Sequence, residues 1–166
     1  MSATRTMGIS VTDVDTTAQL PLGFVYRQPA SSDNEGEKHW VYVFNDEAST
    51  AFAQGNIVAR DAATTTFDAI LAPVDTNPMR VIGVAQHAIA AGSYGFVQAK
   101  GIAEVMAGSE TIDADEVVAV SAAVAGRGME GGAIAADAHE ACVIGHATES
   151  AASGALATCY INCLGG

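Results

Sequence analysis

Apolar positions in this chain come in short runs, alternating or continuous, and glycine, proline and small polar residues separate them. Runs of that length bounded by turn residues predict strands rather than helices. His39-Trp40-Val41-Tyr42-Val43-Phe44 is the densest, rich in aromatic and β-branched side chains. Phe24-Val25-Tyr26 precedes it across the polar segment Gln28–Glu37, so the two predict a long hairpin. Further strands are expected at Ile57–Ala59, Phe67–Leu71, Val81–Ala85, Gly95–Ala99, Ile102–Met106, Val117–Val120, Ala141–Gly145 and Leu156–Asn162. Turns are expected at Pro73–Pro78 and at Lys100-Gly101, and a long glycine-rich loop at Gly126–Gly132. Glu47–Gln54 reads as one or two helical turns or as a loop. The pattern predicts an all-β fold, a compact barrel or sandwich of about ten short strands with long Gly/Ala-rich loops. Residues 1–20, rich in Thr, Ser and Asp, read as an extended N-terminal arm, with one β-rich domain over 21–166.

One segment echoes another. Val81-Ile82-Gly83-x-Ala85 recurs as Val143-Ile144-Gly145-x-Ala147, and a glycine follows nine residues after the first in each, at Gly92 and Gly154. Strand, small-residue connection and returning strand form one supersecondary unit, and 81–98 and 143–160 read as two uses of it. Gln86 and His87 fall in the first connection, among small apolar residues.

Composition narrows the function. Nearly half the residues are apolar but only 6% are aromatic, so Ala, Val and 17 glycines make a thin core of closely packed backbones. The formal charge is −12, and after Lys100 the only basic residue is Arg127. Nucleic acid and anionic membranes need clustered positive charge, so neither is an expected partner. An acidic surface suits self-repulsion in solution or docking on a basic protein. No run of 18 apolar residues marks a membrane helix, and the N-terminus lacks the basic and apolar segments of a signal peptide. Cys142, Cys159 and Cys163 are an odd number, which argues against a disulfide framework, although spacing allows a Cys159–Cys163 bridge.

Catalytic patterns are weak. Gly126, Gly128 and Gly131 spell GxGxxG, but no strand immediately precedes them and Gly131-Gly132 would open a helix badly. His139, Cys142 and His146, with Cys159 or Cys163, have zinc-ligand chemistry without the spacing of a standard site. Asp113, Asp115 and Glu116, like Asp13 and Asp15, read as acidic turns rather than a calcium loop. Ser93, Cys142 and His87 form no nucleophile–base pattern. The expectation is a protein with no enzymatic activity, no cofactor, no metal and no small-molecule substrate.

The order G-x-A-Q, then G-x-Y-G-x-V-Q-x-x-G, falls on Gly83, Ala85, Gln86, Gly92, Tyr94, Gly95, Val97, Gln98 and Gly101. With Leu22-Gly23, Trp40-Val41-Tyr42-Val43 and Gly55-x-Ile57-Val58, it resembles capsid decoration (cement) proteins of tailed bacteriophages over about residues 20–120. The resemblance implies a virion structural protein, made in the host cytoplasm and placed on the outer surface of an icosahedral head. There it would bind the major capsid protein as a homotrimer and tie capsid subunits together. It implies a β-rich body with an N-terminal arm lying on the shell. Gly83, Gln86, Gly92, Tyr94, Gly95, Gln98 and Gly101, with Gly145 and Gly154 from the echo, are the motif positions. The Gly/Ala-rich C-terminal half departs from the pattern, which leaves open a head-fibre base or a tail-associated component.

Overall fold

The computed structural model describes residues 8–30, 35–61, 67–74, 80–131, 142–163 and 165. They hold ten strands and no α-helix: β1 (Val25–Gln28), β2 (Lys38–Asn45), β3 (Ile57–Arg60), β4 (Asp68–Leu71), β5 (Val81–Val84), β6 (Tyr94–Met106), β7 (Val117–Val120), β8 (Gly128–Glu130), β9 (Val143–Ala147) and β10 (Leu156–Asn162). The fold is all-β. Hydrogen-bonded neighbours run β1-β2-β4-β3-β5-β6-β10-β9-β7-β8, and β2 also pairs with β6. That extra pairing closes β2, β4, β3, β5 and β6 into a five-stranded barrel. Closure leaves no edge within the ring.

Two local expectations are corrected, and one open alternative is decided. Lys100-Gly101 is not a turn: β6 runs through it as one 13-residue strand. Gly101 takes φ +103° and a Cβ there would stand 2.7 Å from the Glu37 carbonyl oxygen, so glycine lets the strand bend without ending. Gly128–Glu130, expected within a loop, is β8, because Val118, Ala119 and Val120 offer it an antiparallel partner. Of the two readings of Glu47–Gln54, the loop is the one found: Phe52 is extended and bridges Ile89.

The bend in β6 lets one strand serve two rings. Its first half pairs with β2, from Phe44↔Tyr94 to His39↔Lys100. Its second half pairs with β10, from Met106↔Leu156 to Lys100↔Asn162. From there β10, β9, β7 and β8 follow in order, and β8 returns to the end of β6 through the Ala107↔Gly128 bridge. We call β2 to the first half of β6 unit 1, and the second half of β6 to β10 unit 2.

Backbone pairs of unit 1 recur in unit 2 about 62 residues on. Trp40↔Gln98, Tyr42↔Phe96 and Phe44↔Tyr94 correspond to Ile102↔Tyr160, Glu104↔Thr158 and Met106↔Leu156. Val58↔Gly83 corresponds to Val118↔Gly145, each beside a bulge. Phe52↔Ile89 corresponds to Ile112↔Ala151.

The core follows the same logic. Val41, Val43, Phe52, Val58, Ile82, Ile89 and Val97 fill unit 1, and Val105, Ile112, Val118, Ile144, Ala151, Cys159 and Ile161 fill unit 2. Ile57, Ala59, Val81 and Val84, from the outer side of unit 1, belong to the unit 2 cluster, so the units share a packed boundary. Small residues make this approach possible: burying many small apolar groups replaces the few large anchors the composition lacks.

Candidate functional site: the shared strand and two outer faces

The motif glutamines meet at the bend of β6. Gln98 is fully buried, and its amide donates to the carbonyls of Lys100 (3.1 Å) and Ile102 (2.8 Å) on either side of Gly101. Gln86 reaches from the β5–β6 connection to the next part of the same strand. It donates to the Glu104 carbonyl (3.0 Å) and accepts from the Glu104 N–H (2.9 Å). Buried backbone groups left open at a bend are costly, and these two side chains satisfy them. Gly92 and Gly154 take φ +70° and +76° at equivalent turns.

His87 stands beside Gln86 and is half-buried, with both ring nitrogens shielded from solvent and without a hydrogen-bond partner among the described residues. Burial holds its pKa below the ordinary value, opposed by the nearby Asp13 carboxylate of the arm. It activates neither Ser93 nor a cysteine. All three thiols are free and buried, which pushes Cys142 up to about 11 and Cys159 and Cys163 up to about 12. They are therefore poor nucleophiles, and the Cys159–Cys163 bridge is not formed.

Among the described residues the zinc set is not assembled. Cys142 and Cys159 point into the core, whereas His146 is exposed and stacks on Tyr160. His139 lies outside the described residues, and no group of three or more metal-ligating side chains gathers among those described. At the acidic turns, the Asp13 carboxylate accepts from the Ser10 N–H at 2.7 Å, and the Asp113 backbone N–H donates to the Glu130 carboxylate of β8 at 2.7 Å. Gly128 of the GxGxxG pattern sits in β8, so the pattern itself lies in a strand rather than opening a helix whose amides could meet a phosphate. A shallow cleft at the edge of the barrel is lined by Val25, His39, Val41, Ala99, Lys100, Asn162 and Cys163, with His39 already held by Glu37.

The distinctive geometry is on the outside. Trp40, Tyr42 and Phe96 project from unit 1, and Ile9, Val11, Leu20, Leu22, Tyr26 and Tyr94 close over them. The arm is anchored as well as packed. Asp15 makes a two-way backbone bridge with Tyr94, at 3.1 and 2.7 Å, and the Gln19 N–H donates to the Tyr42 hydroxyl. Residues 8–20 are thus part of the folded body. The corresponding face of unit 2 carries Ile102, Glu104, Met106, Leu156, Thr158 and Tyr160, and none is buried. Alternation alone placed side chains on these faces; nothing in it distinguished the covered face from the open one.

The fold defines a class: a small all-β protein built on a closed five-stranded barrel, with further strands wrapped outside and an arm sealing one face. Among solved structures it is similar to the N base of the head fibre gp8.5 of bacteriophage phi29, with a TM-score of 0.52 and 17% sequence identity. The match covers 74% of this chain and 92% of that one. At that identity the likeness is one of fold. No family model matches the chain, and no curated protein does.

Proposed function

We propose that this chain is a non-enzymatic structural protein of a phage virion, held on the head, where it forms the base of a fibre or a comparable surface attachment. The observation that carries the reading is the fold likeness, which spans nearly the whole of the phi29 fibre base. Among the described residues the three thiols are buried and His87 meets no hydrogen-bond partner, so neither forms a nucleophile–base pair. A shell-bound protein needs none, because repetition over a symmetric surface multiplies weak contacts. Its partner on the head is the major capsid protein, and it self-associates, as a trimer where it meets a threefold position.

A second reading, a decoration protein that ties capsid subunits together, is favoured by the Gly83–Gly101 motif resemblance. Electron cryomicroscopy of purified particles separates the two. A fibre base leads into density projecting outward, whereas a decoration protein ends at the shell and contacts two or more capsid subunits. Absence of the chain from purified particles would overturn both. Native mass spectrometry of the purified protein tests the trimer.

A further inference from the structure

The two units offer an internal comparison, because each has the same outer face and, among the described residues, only one is covered. On unit 1, Tyr94 exchanges both backbone hydrogen bonds with Asp15 of the arm. Its counterpart in unit 2 is Leu156, since Phe44↔Tyr94 corresponds to Met106↔Leu156. Thr158, two residues on, turns its carbonyl to the β9 side, where the Thr148 and Glu149 N–H groups reach it. By strand alternation the Leu156 N–H and carbonyl face that same side, beyond the end of β9. No bridge stands there among the described residues. The apolar surface around it matches: Leu156 and Tyr160 are each 38% exposed, whereas Trp40 and Gln98 at the same stations as Ile102 and Tyr160 are nearly inaccessible.

The charges differ in a way that specifies the missing strand. On unit 1 the arm brings Asp13 near His87 and Asp15 near Tyr42. The corresponding stations of unit 2 hold Glu149 and Glu104. Both carboxylates converge on one hydroxyl: Thr158 Oγ1 lies 3.2 Å from Glu104 and 3.0 Å from Glu149, and it has a single proton to donate. Among the described residues no Lys or Arg pairs with either. Unit 2 as a whole has nine acidic residues after Lys100 against Arg127 alone. A segment with the arm's aspartates would be repelled there; one with Lys or Arg at those two positions would be held.

We propose that the outer face of unit 2 binds an extended segment of a partner protein, which adds as an antiparallel strand at Leu156, packs apolar side chains on Ile102, Leu156 and Tyr160, and brings Lys or Arg to Glu104 and Glu149. This is strand addition to an open edge, with affinity from the backbone and selectivity from the side-chain stations. A second copy of this chain is the poorer occupant, because its arm already covers its own Trp40. The docking face does not depend on the virion reading.

The test uses the full chain and a labelled peptide of residues 8–22 carrying Asp13→Lys and Asp15→Lys, with the unsubstituted peptide beside it. The lysine peptide is expected to bind saturably, at least tenfold more tightly than the other, and to slow amide exchange at Leu156 but not at Tyr94. Glu104→Gln with Glu149→Gln, which preserves size, is expected to weaken it at least tenfold; Tyr160→Ala, which leaves the charge alone, is expected to weaken it as well. No binding, equal affinity of the two peptides, protection at Tyr94, or indifference to Tyr160→Ala would each overturn the proposal. Concentration-dependent self-association that protects Leu156 without peptide would overturn it in favour of a second copy.

Discussion

A methyl group on Gly145 would stand 2.0 Å from the carbonyl oxygen of Tyr160. Sixty-two residues earlier, a methyl on Gly83 would stand 2.5 Å from the carbonyl oxygen of Gln98. These two crossings press β5 on β6 and β9 on β10 at a separation only glycine permits. The clash is with backbone, which cannot swing aside. Gly83→Ala and Gly145→Ala are each expected to lose about 2–3 kcal/mol, the upper part of the range for overpacking. Urea unfolding of both variants checks this; a change within error for either would refute the close crossing there.

Asp115 takes φ +68° at the station where Gly55 takes +84°. Their amides donate to equivalent carbonyls, Ala147 and Ala85. A left-handed backbone is strained for Asp and free for Gly, so Asp115→Gly is expected to raise stability by about 0.5–1 kcal/mol. Gly55→Asp should do the reverse and more, because a Cβ there would also stand 2.7 Å from the Met106 nitrogen. Thermal midpoints of the two variants should move in opposite directions.

The arm seals an aromatic cluster, so its removal is not neutral for the body. Truncation of residues 1–7 leaves Ile9, Val11 and Leu20 over Trp40, Tyr42 and Phe96. Truncation through residue 22 uncovers them, at an expected cost on the order of 3 kcal/mol or more. Trp40 is the single tryptophan and reports directly. Its emission should shift to longer wavelength in the longer truncation and stay fixed in the shorter one.

Stability should fall on both sides of neutrality. His87 has its folded pKa depressed by burial, so below about 6.5 the unfolded chain takes the proton first. Its contribution is complete above that pH and is lost as pH drops toward the folded value; His87→Gln should flatten this acid limb. The three thiols have folded pKa values raised by burial to about 11 and 12. The unfolded chain therefore ionises first as pH rises past about 9, the ordinary thiol value, and stability declines from there upward. Denaturant midpoints from pH 5 to 10.5 check both limbs. At pH 8 the folded thiols should alkylate far more slowly than in urea.

Strand content was legible because short β-branched and aromatic runs between turn residues have few other uses. Val25–Gln28, Lys38–Asn45 and Val117–Val120 lie where local pattern puts them. Lys100-Gly101 misled because a Lys-Gly pair reads as a turn when only its neighbours are seen. Its real role needs Glu37 pressed against it, Gln98 bonding the carbonyls on either side, and Gln86 arriving from the β5–β6 connection. Gly128–Glu130 was hidden for a related reason: a three-residue strand carries almost no signal of its own and exists through its partner, β7. Gln86 and Gln98 stood out as polar residues among apolar ones, but only the backbone groups they meet explain them.

By itself the sequence determined the element type, the strongly acidic character of the region after Lys100, and the glycine positions that allow left-handed turns and close crossings. These are properties of residues and near neighbours. The tertiary structure decided that β2 closes on β6, that one strand serves two units, and that the arm covers one outer face while its counterpart stays open among the described residues. Those outcomes depend on hydrogen bonds between residues far apart in the chain, such as Asp15 with Tyr94. Local propensity is the same for a covered strand face and an open one. Only the position of the rest of the chain makes them different.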